Sequence, residues 1–199
     1  MTATQYRIFT GFAFAAEILS VPLAFVLPVE LSFENGLIEN AQIVVLIVGA
    51  LLVLNVSSPL KWFQRFFAAG MFLIVFRELS WGRVFFPVSM ETLGPVFIDM
   101  AHFKYGTKVH VAMVAYVAAM IFILIRFVPV KKILRGSQPS AALAVMIVAF
   151  IFSSLGDSGL FFGKTCGQIL EELNELIFYS TLPVAAVYYC GAEAENFLR

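Results

Sequence analysis

Long apolar runs recur along this chain, and they restrict it more than any motif does. Stretches such as "AQIVVLIVGALLVLNV" (41–56) and "VHVAMVAYVAAMIFILIRFV" (109–128) are nearly free of charge. A bilayer core of ~30 Å is crossed by ~20 such residues in a helix, and the backbone must satisfy its own hydrogen bonds there. The expectation is therefore an all-α integral membrane protein. Composition agrees: 61% of the 199 residues are hydrophobic and 13% are charged, against about half and a quarter in soluble domains.

Six spans are predicted, at 6–28, 37–56, 62–78, 109–130, 140–155 and 167–190. They read as one polytopic membrane domain over 1–199, a six-transmembrane-helix bundle. The first reads as an uncleaved span and not a removed leader, because Glu17 interrupts it and its apolar character resumes as far as Pro28. "SSPLK" (57–61) and "GSQPS" (136–140) are turn-like, and Ser137 is expected to cap the fifth helix. Between the third and fourth spans, residues 79–108 are aromatic and broken by Pro87 and Pro95. That segment is expected to be an interfacial or re-entrant helix.

Basic residues orient the bundle. With the N-terminus inside, Arg7, Lys61, Arg65, Arg126, Lys131, Lys132, Arg135 and Arg199 are cytoplasmic, while Arg77, Arg83, Lys104, Lys108 and Lys164 are outside. Both termini then face the cytoplasm, N-in/C-in, and a bacterial inner membrane is the expected location. Ten of the thirteen acids fall in the outer half under this arrangement; Glu193 and Glu195 are cytoplasmic, and Glu17 lies deep in the first span.

Charged groups at membrane depth turn inward and find partners. Helical spacing puts Glu39 and Gln42 on one face, and Glu171 and Glu175 on another beside Asn174, with Glu172 pointing elsewhere toward Tyr179. Glu39, Gln42, Glu171, Asn174 and Glu175, with Glu17, Arg77, Glu78 and Asp157, are the candidate lining of an outward-facing acidic pocket. Glu17 is its expected floor and Arg77 its counter-ion. Glu34 is expected either to rim the pocket or to cap the second helix.

A pocket of this kind suits a proton, a metal cation or a cationic solute. A divalent metal held by His110, Glu78, Glu171 and Glu175 is the alternative occupant, although no HExxH or Glu-x-x-His pair is present. Two other functions fit the composition: an integral-membrane enzyme acting on outer-leaflet lipid, and an accessory subunit completed by a membrane protein partner or a second copy. No haem, nucleotide or retinal signature appears, and zero net charge without a basic stripe argues against nucleic acid. Cys166 and Cys190 stand roughly 36 Å apart on one helix, too far for a disulfide.

Overall fold

The computed structural model describes residues 1–91, 94–135, 138–159 and 163–191. Its helices are α1 (Ala3–Ala24), α2 (Leu37–Asn55), α3 (Lys61–Glu78), α4 (Gly106–Phe127), the short α5 (Val130–Arg135), α6 (Ser140–Ser158) and α7 (Gly163–Cys190). The described residues are all-α apart from one pair of short antiparallel strands. Among the described residues, four helical stretches are long and apolar enough to cross a membrane: Ala3–Ala24, Val29–Asn55, Gly106–Phe127 and Ser140–Ser158. α3 and α7 are less apolar because each carries charges, Lys61, Arg65, Arg77 and Glu78 on one and Lys164, Glu171, Glu172 and Glu175 on the other.

α7 is the hub. It packs against α6, α2 and α1, while α2 also packs against α3 and α3 against α4. The central apolar layer joins Leu46, Ala50 and Val53 of α2, Ala68, Met71 and Val75 of α3, and Tyr179 and Ala186 of α7. Small residues allow the closest approaches. A β-carbon added at Gly156 would stand 2.5 Å from the Gly167 carbonyl oxygen and 2.7 Å from the Glu171 nitrogen, so α6 and α7 meet backbone to backbone. Such contacts are characteristic of helices packing in lipid, where dispersion and not hydrophobicity brings helices together.

Helix ends follow local chemistry. Thr2 and Gln5 form a reciprocal capping box at the start of α1. Gln64, buried on α3, donates to the Val53 carbonyl (2.9 Å) and the Val56 carbonyl (2.6 Å) at the end of α2. Two expected caps are not made this way. Gly36, not Glu34, occupies the cap position of α2. Pro139 holds that position for α6, and Ser137 lies outside the described residues, as do Glu193, Glu195 and Arg199.

The segment between α3 and α4 corrects the expectation of a helix. A 3-10 turn over Ser80–Phe85 leads into β1 (Pro87–Glu91), which pairs antiparallel with β2 (Gly94–Phe97) in the register Ser89↔Val96, Met90↔Pro95 and Glu91↔Gly94. Pro87 opens β1, where its missing N–H matters least, and Pro95 together with Gly94 at φ 123° excludes helix. Every residue of β1 is exposed.

Candidate functional site

Acidic side chains gather where α2 begins, α3 ends and the first half of α7 runs past both. They line a cavity of about 310 Å³. Glu39 comes from the first turn of α2, Glu78 from the last residue of α3, and Glu171, Glu172 and Glu175 from α7; Glu34 precedes α2. Arg77 and Arg83 are the basic residues of the lining, so the cavity holds six carboxyl groups against two guanidinium groups.

One hydrogen-bonded knot ties α3 to α7. Arg77 Nη2 donates to Glu175 Oε1 at 3.0 Å, and its Nη1 donates to Tyr179 Oη at 2.9 Å while lying 3.5 Å from Glu78 Oε1. The Tyr179 hydroxyl in turn lies 2.9 Å from Glu78 Oε1 and 3.2 Å from Glu175 Oε2. A phenol has one proton, so it donates to one carboxylate at a time and leaves the other dependent on Arg77. A second tie joins α2 to α7: Gln42 Nε2 donates to the Glu172 carbonyl (2.9 Å) and to Glu172 Oε2 (2.8 Å). Glu39 Oε2 accepts from the Asn35 backbone N–H.

The last wall is a strained turn. Ser80, Trp81 and Gly82 follow one another at φ 44°, 56° and 88°. That region suits glycine and costs other L-residues roughly 1–2 kcal/mol each. Ser80 and Trp81 both line the cavity, and the Trp81 ring stacks on Phe76 with centroids 6.2 Å apart. Arg83 holds the turn in place through the Ser80 carbonyl (3.2 Å) and the Ile98 carbonyl at the foot of the hairpin (3.3 Å). Consecutive left-handed residues beside a cavity persist where the surroundings over-determine them.

The residues expected to share a pocket separate into groups. Glu39, Arg77, Glu78, Glu171 and Glu175 are brought together. Gln42 and Asn174 are fully buried behind that lining. Glu17 is buried on α1 and forms no part of the cavity, and Asp157 is exposed near the end of α6. His110 is exposed on α4, which packs against α3 and contributes nothing to the lining, so the expected metal set is not assembled. Among the described residues no group of three or more His, Cys, Asp or Glu side chains is placed to hold a metal ion.

Sequence reasoning turned Glu172 away from the site and sent Tyr179 with it. The structure corrects both: Glu172 lines the cavity, and Tyr179 binds Glu78, Glu175 and Arg77. The cavity lies in the wide wedge between α2 and α3, which takes in neighbouring positions of α7 ~100° apart. Ser80, Trp81 and Arg83 open the 79–108 segment and line the cavity, although none of them was singled out as lining. Cys166 and Cys190 are both free thiols.

No protein-family model, curated protein or solved structure matches this chain.

Proposed function

We propose that the chain is a single six-span membrane domain, N-in/C-in in a bacterial inner membrane, whose acidic cavity opens outward and binds a cationic solute. The observation that carries this reading is the imbalance of six carboxyl groups over two guanidinium groups in one cavity. Like charges at close quarters repel, and a bound cation relieves them. The Trp81 ring in the same lining offers a face for an ammonium or guanidinium group. The volume, about 310 Å³, is at the small end for a small-molecule pocket.

Six spans require α3 and α7 to cross as well. Their 18 and 28 residues correspond to roughly 27 and 42 Å of helix. Arg77, Glu78, Glu171, Glu172 and Glu175 line the cavity, while Lys61, Arg65 and Lys164 lie near the starts of their helices, so their polarity is compatible with a place inside a bundle. The positive-inside distribution supports the orientation. A solute is preferred to a chelated metal because His110 stands apart from the carboxylates. A one-sided site is preferred to a pore because the inner halves, "VVLIVGALLVL" and "AMIFILI", are apolar. The lipid-enzyme and accessory-subunit readings gain no specific support from this geometry.

The test uses Trp81 as reporter. The chain has two tryptophans, and Trp62 stacks on Phe127, outside the cavity lining. In Trp62→Phe protein, titration with choline, putrescine, sodium and calcium should change Trp81 emission saturably for an organic cation, and Glu78→Gln with Glu175→Gln should abolish the change. Folded protein whose emission responds to none of these probes would overturn the reading.

A further inference from the structure

A buried carboxyl group lies apart from the cavity. Glu17 on α1 is 5% exposed, and neither of its carboxylate oxygens has a hydrogen-bond partner among the described residues. One turn further on, the Ser20 hydroxyl donates to the Glu17 carbonyl at 2.8 Å and accepts from Asn174 Nδ2 of α7 at 3.3 Å. Asn174 is fully buried; its Nδ2 also donates to the Leu170 carbonyl at 2.7 Å, and its Oδ1 has no partner among the described residues. This turn of α1 and the helix facing it therefore hold buried acceptor oxygens that no donor among the described residues meets.

Among the described residues, no counter-charge pairs with Glu17. α1 packs against α7 and α6. On α6 the titratable group is Asp157, exposed near the helix end. On α7, Glu171, Glu172 and Glu175 line the cavity, Tyr179 is bonded to Glu78 and Glu175, and Lys164 is exposed in the first turn. Cys166 lies in that first turn too, and Tyr188, Tyr189 and Cys190 lie at the far end of α7. On α1 itself, Arg7 is exposed and Tyr6 is near the start of the helix. None of these makes an ion pair with Glu17, whose oxygens are without partners among the described residues.

We infer that Glu17, with Ser20 and Asn174, forms a buried proton-binding site distinct from the acidic cavity. One proton removes the uncompensated charge and turns a carboxylate oxygen into an O–H donor. Asn174 Oδ1 is the acceptor on the facing helix that this donor completes. The inference does not depend on what the cavity binds.

Infrared spectroscopy of the full-length protein in lipid, at neutral pH and without sodium, tests it. The expected result is a protonated-carboxyl C=O band that Glu17→Gln removes, Asn174→Leu shifts and the cavity variant Glu175→Gln leaves in place. If Glu17→Gln fails to fold, the Asn174→Leu shift carries the test. A Glu17→Gln difference confined to the ionised-carboxylate region overturns the inference. So does an unshifted band in Asn174→Leu, or loss of the band on adding sodium, which would make the site a cation site.

Discussion

Arg77 crosses from the last turn of α3 to Glu175 on α7, its Nη2 3.0 Å from Oε1. The Arg77 side chain is itself more than half exposed, whereas the Glu175 side chain is 15% exposed and that of the adjacent Glu78 8%. The contact therefore matters less as an ion pair than as the charge that lets two sheltered carboxylates stay together.

Replacing Arg77 with Gln should accordingly lower the thermal midpoint, since it leaves Glu78 and Glu175 facing each other through Tyr179 alone. Under the cation reading, added putrescine should restore most of that loss in the variant and raise the wild type less. Thermal unfolding in detergent, with and without putrescine, measures both. A destabilised variant indifferent to every added cation would separate the structural role of Arg77 from any binding role of the cavity.

Tyr179→Phe removes one hydroxyl and little volume. Glu78 Oε1 then loses its 2.9 Å bond and Arg77 Nη1 loses an acceptor. Leaving buried polar groups unsatisfied costs about 1–3 kcal/mol. The same change with Glu78→Gln should cost less than the sum of the two singles, because both act on one bond. A double-mutant cycle by chemical unfolding decides, and strict additivity would mean that the bond contributes nothing.

The helices were legible because each carries its own signal. α2 was expected at 37–56 and lies at Leu37–Asn55; α3 was expected at 62–78 and lies at Lys61–Glu78. Apolar length and Pro/Ser turns act locally, so sequence reveals them. What sequence could not supply was which faces meet. Glu39, Glu78, Glu171 and Glu175 do converge, but His110 stays out because α4 packs on α3 and does not line the cavity. Glu172 entered because the cavity is wider than one helical face. The hairpin at 87–97 was hidden for another reason: its aromatic and aliphatic residues suit an interfacial helix as well as a strand, and cross-strand register is not a local property.

Orientation is open to direct measurement. In a background of Cys166→Ser and Cys190→Ser, the exposed hairpin residue Met90 and the exposed Lys131 between α4 and α6 are each replaced by cysteine. A membrane-impermeant maleimide applied to intact spheroplasts should label Met90→Cys and spare Lys131→Cys until the membrane is opened. The opposite pattern would invert the topology and turn the acidic cavity toward the cytoplasm.

The contact between α6 and α7 should be the least forgiving in the bundle. Gly156→Ala places a methyl group 2.5 Å from the Gly167 carbonyl oxygen and 2.7 Å from the Glu171 nitrogen, and both obstacles are backbone. Side chains can rotate away from such a clash, but helices must move apart. Over-packing of this kind costs typically 1–3 kcal/mol, and here the separation carries Glu171 with it. Gly70→Ala is the natural control, since its added methyl group would meet only the Met120 Cε at 3.6 Å. Thermal unfolding should show a clear loss for Gly156→Ala and little for Gly70→Ala. Trp81 emission in the Trp62→Phe background should also respond more weakly to putrescine in Gly156→Ala, because the α7 wall of the cavity shifts. Equal stability for the two alanine variants would mean that α6 and α7 do not cross at these glycines, and the placement of Glu171 in the cavity would fall with that crossing.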